Sequence, residues 1–525
     1  MTTFERQLNG SSGATQSEDD DGEVPYVSLP IEASQPACLA AIARLHGLTP
    51  AAPDKASVLE LGCGSGGNII PLAARFPGAK FAGIDLAASH VARAQARIAA
   101  LGLKNIIIRQ GDVASLDLSA LTLDYIICHG VFSWVEPATQ DAILRICGQH
   151  LKPHGIVYMS YNVLPGWHQR NIVRDICLEH ARPEKSAAGR VAKSREILSE
   201  IAKSVSTTNP YGVMLHNEVA NLKTLPASYL LGEFLAAENN PCTFRQFSER
   251  AHTFGLSYLS ECDMASSSPE TMHTSAAQTI RRLAGPDPIS VQNYTDIFSG
   301  RMFRRSLLVR SSEARAVKAP EANRLGGLHL ACPLRKSRRA TEPGVFDRFK
   351  RPVIAQNAAT QEALAKLSQR YPSSVPFDDL NRQASTLEAQ AELVSVIYKL
   401  VSEGAATLYA LPLRCGTAQT DRPEVWPLAR LEAKSGQTWV TSLNHRSIPL
   451  NKILAFLVPR MDGATDKMSL QRALSRDELS ATAPPPAVLA QTGSAPGTDP
   501  HDALAADYLR RGLDYLAANA LLVPA

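Results

Sequence analysis

The sequence predicts an α/β fold in which five parallel strands alternate with helices and an antiparallel pair of strands completes the sheet. Between residues 57 and 161, short apolar runs are separated by segments of helical length, which is typical of parallel strands with crossover helices. Two further apolar runs, at residues 254–259 and Phe303–Arg310, return after a long helical stretch and predict the closing pair. A chain of 525 residues also has room for several domains beside this sheet.

The parallel strands follow one another in chain order, each ending just before a turn or a helix. A helix over residues 36–48 should precede them, because Leu39, Ile42 and Leu45 recur at helical spacing. The predicted strands are Ser57–Leu61, 80–84, 105–109, Leu123–Cys128 and 156–161. The predicted crossover helices are 67–76, 87–101 and 137–151, and a helical pattern continues from residue 167 to about residue 250.

Composition divides the remainder of the chain. The order helix, helix, strand within residues 353–412 predicts a winged-helix-like region, and a Pro- and Ala-rich stretch after it predicts a linker. The predicted units are a disordered tail (1–24), the α/β core (25–165 and 251–312), a helical insertion (166–250), a basic linker (313–352), the winged-helix-like region (353–475), a low-complexity linker (476–502) and a C-terminal helix (503–525).

Charge and cysteine usage exclude several classes of protein. The chain has no apolar run of membrane-spanning length and no signal-peptide core, and its nine cysteines form no CxxC pair. We therefore expect a cytoplasmic protein with reduced thiols and no metal site. The net charge is only +4, but residues 301–351 hold fourteen Lys and Arg against four Asp and Glu. A solvated linker explains this run better than a nucleic-acid site does.

A glycine-rich turn directly follows the first strand and indicates a nucleotide-type cofactor. Its glycines allow a tight turn and a close approach of the backbone to a ligand. The pattern also fits the dinucleotide fingerprint GxGxxG, with Asp85 at the position of a ribose-binding acid. Three acids at strand ends favour S-adenosylmethionine instead: Glu60 for the methionine amino group, Asp85 for the ribose hydroxyls and Asp112 for the adenine amino group.

The ends of the fourth and fifth strands should form the rest of the site, because ligands bind at the carboxyl edge of an open α/β sheet. We expect His129 and Gly130 to lie along the cofactor, while Phe132, Trp134 and Tyr161 wall the methyl acceptor. The predicted catalytic residues are His129, Phe132, Trp134 and Tyr161. The predicted cofactor-binding residues are Glu60, Gly62, Cys63, Gly64, Gly66, Asn68, Asp85, Leu86, Asp112, Val113, His129 and Gly130.

Four blocks of the core resemble one family. They are VLELGCGSGGN (58–68), FAGIDL (81–86), DYIICHGVFSWV (124–135) and VYMSYNVLPGWH (157–168). Similar blocks lie at 228–247 (SYLLGEFLAAENNPCTFRQF), 428–445 (LARLEAKSGQTWVTSLNH) and 461–467 (MDGATDK). This chain resembles bacterial methyltransferases that carry a methyltransferase regulatory domain, including the rickettsial protein-lysine methyltransferases that modify outer-membrane proteins. The resemblance covers about residues 26–475.

The resemblance implies a class I methyltransferase sheet, S-adenosylmethionine as cofactor, a protein lysine as acceptor, and dimerisation. It also implies that residues 166–250 are a regulatory insertion. Two alternatives stay open at this point: a methyltransferase for a small molecule, and a regulatory protein that senses the cofactor without turnover. Nucleic acid is a less favoured partner than protein.

Overall fold

The computed structural model describes residues 27–116, 118, 121–336, 345–479 and 500–524. The predicted disordered tail (1–24) lies outside the described residues. So do residues 337–344 of the predicted basic linker and 480–499 of the predicted low-complexity linker.

The predicted class I methyltransferase sheet is confirmed. Its strand order is β3-β2-β1-β4-β5-β8-β7, and a short strand, β6, pairs with the end of β5. The first five strands are parallel, and β8 runs antiparallel to both of its neighbours. The strands are β1 (Ser57–Leu61), β2 (Lys80–Asp85), β3 (Ile106–Gln110), β4 (Leu123–Cys128), β5 (Leu151–Leu164), β6 (Cys242–Thr243), β7 (Leu256–Glu261) and β8 (Phe303–Arg310).

Helices cover both faces of this sheet because successive strand residues face opposite sides. In β1, Val58 joins one hydrophobic core, and Leu59 and Leu61 join the other. The helices of this part are α1 (Pro36–Leu45), α2 (Ile69–Arg75), α3 (Ala88–Leu101) and α4 (Pro137–His150). The first three contribute buried residues to the core of Val58, and α4 contributes to the core of Leu59.

A helical insertion follows β5 and has a core of its own. Its buried residues include Val173, Val191, Leu215 and Phe234, one from each helix. The helices are α5 (Trp167–Ala181), α6 (Ala187–Ser204), α7 (Pro210–Leu222) and α8 (Ala227–Phe234). The chain then returns through β6, which pairs in parallel with the C-terminal end of β5. Val163 and Cys242 are partners in this pairing.

A buried arginine ties the returning segment to the sheet. Arg304 of β8 has a fully buried side chain that donates to Asp296 and Glu261, with N···O distances of 2.7–2.8 Å. Its guanidinium also lies 4.0 Å from the centre of the Phe244 ring. The helices of this segment are α9 (Phe244–Thr253), α10 (Met264–Ser267), α11 (Thr274–Ala284) and α12 (Pro288–Ser299).

A small module follows the sheet. Strand β9 (His329–Ala331) is the centre of a three-stranded sheet with β13 (Val375–Pro376) and β14 (Thr407–Tyr409) on its two sides. Leu328, Leu330 and Leu334 are buried in the core of this module, so the described part of the predicted basic linker contains folded chain. The other elements are β10 (Arg335–Lys336), β11 (Val345–Phe346), β12 (Pro352–Val353), α13 (Ala358–Arg370), α14 (Phe377–Asn381) and α15 (Leu387–Ser402).

The C-terminal part of the chain packs directly on the α/β core. Trp426, Leu457 and Leu516 belong to the same hydrophobic cluster as Val58 and Ile70. Its elements are α16 (Pro427–Lys434), β15 (Trp439–Thr441), β16 (Ser447–Pro449), α17 (Lys452–Leu457), α18 (Lys467–Ala473) and α19 (Pro500–Ala518). Within the described ranges, no helix has the combination of length and apolar character that crossing a bilayer requires.

The Arg304 cluster generates a stability prediction. Arg304→Met should lower the free energy of unfolding by about 3–5 kcal/mol, because it removes the buried cation shared by Glu261 and Asp296 and leaves Asp296 with Arg301 alone, at 3.3 Å. Arg281→Met is the matched control, because the Arg281–Glu270 pair is exposed and should contribute at most about 1 kcal/mol. Thermal melting followed by circular dichroism measures both, and equal melting temperatures for the two variants would contradict the prediction.

Candidate functional site

The glycine-rich turn between β1 and α2 is where the carboxyl ends of the parallel strands meet. Gly62, Gly64 and Gly66 have φ values of 68°, 54° and 76°, which L-residues with side chains rarely adopt. A Cβ atom on Gly62 would lie 2.3 Å from Cγ2 of Val131, in the segment after β4. The turn can therefore approach this segment closely only with glycine at position 62.

Glu60 is a buried carboxylate at the end of β1. One of its oxygens, Oε1, accepts a hydrogen bond from Asn68 Nδ2 at 2.8 Å. The other, Oε2, is buried and has no hydrogen-bond partner among the described residues. Burial raises the pKa of Glu60 to about 8, against the opposing effect of the Asn68 hydrogen bond. A cationic donor at Oε2 would relieve this cost.

Asn68 links Glu60 to two distant parts of the chain. Its Oδ1 atom is 2.9 Å from the Ile31 backbone nitrogen, 3.1 Å from Ser34 Oγ and 2.7 Å from His445 Nε2. A backbone N–H can only donate, so the Asn68 oxygen must face these groups and its amide nitrogen must face Glu60. The orientation of Asn68 therefore follows from the hydrogen bonds themselves.

The segment before α1 lies across the glycine-rich turn. The Gly67 N–H donates to Ser28 Oγ at 2.9 Å. A Cβ atom on Gly67 would lie 2.0 Å from the Ser28 carbonyl oxygen, so this contact also requires glycine. Ser28, Ser34 and His445 are not among the predicted site residues, because they lie far from the glycine-rich motif in sequence. His445 ends the family-like block at 428–445, but that block alone gives it no role at this site.

The other two acids lie at the ends of adjacent strands, as predicted. Asp85 accepts hydrogen bonds from the Gly64 N–H at 2.6 Å and the Ala87 N–H at 3.1 Å. Asp112 accepts from the Ala114 N–H at 2.9 Å. The Gly111 N–H donates to the Asp85 carbonyl oxygen, which joins the two strand ends. The contacts predicted for Asp85 with ribose and for Asp112 with adenine stay predictions.

The neighbours of these residues divide into exposed and buried positions. Leu86 is exposed and Val113 is partly exposed beside Asp85 and Asp112. Cys63 is buried, its thiol lies against Gly83 of β2, and burial raises its pKa well above the usual value. The Cys63 N–H also donates to Ile84. Cys63 therefore serves the packing of the turn, and its predicted contact with the cofactor stays a prediction.

His129 and Gly130 follow β4 at the open side of the site. His129 Nδ1 is 2.7 Å from the Tyr158 hydroxyl, and the His129 and Phe303 rings lie edge to face at 6.1 Å. Burial and then the nearby Arg305 lower the pKa of His129 to about 4, so the imidazole is neutral at pH 7. Gly130 has a φ of 68°, and an added Cβ would meet nothing within 4 Å, so open space adjoins it.

The three aromatic residues predicted to contact the acceptor occupy different environments. Phe132 and Tyr161 are buried and pack with Phe247, and the Tyr161 hydroxyl is 3.1 Å from Ser306 Oγ. Trp134 is partly exposed and meets the Trp167 ring edge to face at 5.9 Å. Trp134 is thus the member of this set that a ligand reaches most easily, and the catalytic role of all three stays a prediction.

Two asparagines of the helical insertion brace the strand ends around the site. The Asn240 N–H donates to the Ser133 carbonyl oxygen at 2.7 Å, and Asn162 Nδ2 donates to Asn239 Oδ1 at 3.3 Å. Ser133 Oγ in turn accepts from the Asn162 N–H at 2.8 Å. The segment after β4 is therefore fixed at Ser133 by two hydrogen bonds, one from the end of the helical insertion and one from β5.

The residues present fit S-adenosylmethionine. Its amino group is a cation that suits the unpartnered Glu60 Oε2, and its sulfonium would lie in a site with a neutral His129. The positive-φ glycines of the turn provide a surface of backbone that a nucleoside can approach.

Three protein-family models match separate parts of the chain. "Methyltransferase domain" matches residues 58–155. "Predicted methyltransferase regulatory domain" matches residues 226–310, and "PKMT, C-terminal winged helix domain" matches residues 421–521. The matched winged helix domain overlaps the predicted region 353–475 in part, and the domain boundaries given above stay predictions.

Individual proteins match over most of their length. The uncharacterized protein RP789 of Rickettsia prowazekii is 29% identical over 495 residues, 90% of this chain and 88% of that protein. The uncharacterized protein RP028 of the same organism is 34% identical over 230 residues, 44% of this chain and 92% of that protein. The structure of PKMT2 from Rickettsia typhi in complex with AdoHcy superposes with a TM-score of 0.82, at 24% identity, over 95% of this chain and 100% of that chain.

The raised pKa of Glu60 predicts pH-dependent cofactor binding. A carboxylate pairs with an ammonium group only when it is deprotonated, so affinity for S-adenosylhomocysteine should fall as the pH drops below 8, by up to about tenfold per unit. Isothermal titration at pH 6, 7 and 8 measures this, with proton release seen as a buffer-dependent enthalpy.

Two variants separate Glu60 from other groups that titrate in this range. Glu60→Gln should bind more weakly and lose the pH dependence. Glu233→Gln should keep it, although burial also raises the pKa of Glu233, to about 7. A wild-type affinity that does not change between pH 6 and 8 would contradict the assignment.

Proposed function

This chain belongs to the S-adenosylmethionine-dependent methyltransferases that carry a methyltransferase regulatory domain, and on this premise we propose that it methylates lysine side chains of proteins. The similarity to the rickettsial protein RP789 covers 90% of this chain, and the rickettsial PKMT2 structure superposes over 95% of it. Regions outside the methyltransferase domain that are shared in this way suit a macromolecular acceptor better than a metabolite.

The main support for a lysine acceptor is the chemical character of four residues at and near Gly130. We call the group His129, Tyr158, Phe303 and Arg305 the acceptor wall. It combines a neutral imidazole, an aromatic ring and a guanidinium, and the fully buried Tyr158 is hydrogen-bonded to the imidazole. Arg305 also lines a cavity of about 210 Å³ between the core and the module of β9.

A lysine must be neutral to accept a methyl group. Its reference pKa is about 10.4, so near pH 7.4 only about one lysine in 1000 is neutral, a cost of about 4 kcal/mol. A positive charge and a poorly hydrated surface both favour the neutral amine. The acceptor wall supplies both features through Arg305 and Phe303, which supports an amine as acceptor.

S-adenosylmethionine supplies a methyl group bonded to a positively charged sulfur, so the leaving group needs no further activation. Glu60, Asp85 and Asp112 would hold it at the strand ends. The task left to the protein is to orient the acceptor and exclude water, which can contribute about 7–11 kcal/mol. With a pKa of about 4, His129 is too weak a base to keep a lysine proton, so the proton leaves to solvent before the amine enters.

The cellular setting is part of the proposal. All nine cysteines are free thiols, which supports a cytoplasmic location. The resemblance implies outer-membrane proteins as acceptors, so they are the first acceptor class to test. It also implies a homodimer, which is the first oligomeric state to test. The nucleic-acid alternative rests on the basic run, of which residues 337–344 lie outside the described part of the chain.

Labelled methyl transfer tests the acceptor class. Purified protein incubated with methyl-labelled S-adenosylmethionine and bacterial lysate should label protein bands, and hydrolysis of these bands should release methyllysine. Glu60→Gln provides the background. Label recovered only in small molecules would reject a protein acceptor, and cofactor binding without any transfer would favour the cofactor-sensing alternative.

The charge of Arg305 should appear in the pH profile. With the best-labelled protein as acceptor, Arg305→Met should raise the apparent pKa in kcat by about 0.5–1 unit, because the bound lysine loses a neighbouring cation. Arg305→Lys keeps the charge and should keep the wild-type profile. If the Met and Lys variants have the same profile, Arg305 has no such role.

A further inference from the structure

A turn of the C-terminal domain reaches the cofactor site. Residues 442–446, which connect β15 and β16, carry His445 at a φ of 65° with only 3% of the residue exposed. His445 Nε2 lies 2.7 Å from Asn68 Oδ1, although the two residues are 377 positions apart in the sequence. A left-handed, buried histidine is a conformation that needs support from its surroundings.

The direction of this hydrogen bond is determined. Asn68 Oδ1 also accepts from the Ile31 N–H, so the bond to His445 must have the imidazole as donor. Burial, reinforced by Arg75, lowers the pKa of His445 to about 3, so the ring is neutral and Nε2 carries its one proton. His445 therefore donates to Asn68, and Asn68 Nδ2 donates to Glu60 Oε1.

The turn itself is anchored on the segment before α1. Arg446 makes a two-point ion pair with Glu32, with N···O distances of 2.7 and 2.8 Å. Gln35 Nε2 donates to the Asn444 carbonyl oxygen at 3.3 Å. These contacts hold the 442–446 turn and the N-terminal segment together above Asn68.

A second link joins the same domain to the glycine-rich turn. Glu432 of α16 is buried and accepts from Arg97 Nη2 at 2.7 Å, from the Thr441 N–H at 2.6 Å and from Thr441 Oγ1 at 2.9 Å. Arg97 Nη1 reaches the Ser65 carbonyl oxygen at 3.4 Å. The domain thus contacts residue 68 of the turn directly and is linked to residue 65 through Arg97 of α3.

We propose that the C-terminal domain is part of the cofactor site, with His445 as a positioning residue that orients Asn68 and, through it, the Glu60 carboxylate. Glu432 and Arg97 hold the middle of the same turn. Because the domain touches the turn and leaves Glu60 Oε2 unpartnered, it stabilises the binding conformation without occupying the ligand's position. Cofactor binding and docking of this domain are then coupled, and the coupling is reciprocal.

Two substitutions at one position test the hydrogen bond. Both His445→Gln and His445→Leu place a side chain at the same left-handed backbone position, but only Gln has an amide N–H that can replace Nε2. Titration with S-adenosylhomocysteine should show about tenfold weaker binding for His445→Leu and binding within about threefold of wild type for His445→Gln. Wild-type affinity in the Leu variant would overturn the proposal, and so would equal losses in both variants.

Hydrogen exchange in the wild-type protein gives a readout that does not depend on how the variants fold. Addition of S-adenosylhomocysteine should slow amide exchange in residues 439–449, although they lie in a different domain from the turn. Peptides from α6 and α7 are the control and should not change. Unchanged exchange in 439–449 at saturating ligand would reject the coupling. Both measurements use cofactor binding alone, so their outcome is independent of the identity of the methyl acceptor.

Discussion

The buried carboxylate of Glu60 is the constraint on which the site depends. A carboxylate is costly to bury, and this one keeps a single hydrogen bond to Asn68 while its second oxygen has no partner among the described residues. Asn68 can hold that bond only in one orientation, which the Ile31 N–H and His445 determine from two other regions of the chain. The orientation of Glu60, an acid within a local sequence motif, therefore depends on the folding of the whole chain, because residues far away in sequence hold Asn68 in place.

The segments outside the core sheet contact different parts of the site. The returning segment joins the sheet through the buried Arg304 cluster, and the end of the helical insertion braces the segment after β4 through Asn239 and Asn240. The C-terminal domain packs into the same hydrophobic core as α2 and contacts the glycine-rich turn. The glycine-rich turn and the segment after β4 are therefore supported by different parts of the chain.

The electrostatics of the two sides also differ. On the cofactor side, Glu60 and Asp85 present acid groups to a ligand that carries positive charge. On the proposed acceptor side, the neutral His129 and the cationic Arg305 disfavour a positively charged ligand. This opposition suits a reaction in which a charged donor meets a neutral amine. Phe132 and Tyr161 are buried in the hydrophobic core of Leu59, where their rings meet edge to face.

The sequence by itself determined the succession of strands and helices along the chain, the glycine-rich turn and the positions of Glu60, Asp85 and Asp112, because strand periodicity, glycine spacing and strand-end acids are local features. Boundaries shifted by only a few residues, as in β5, which extends to Leu151–Leu164. Only the tertiary structure decided that His445, Ile31 and Ser34 meet at Asn68, that Phe132 and Tyr161 are core residues, and that Leu328–Leu334 pack in a folded module. Contacts between residues hundreds of positions apart depend on how the domains pack, and no local pattern in one sequence encodes that packing.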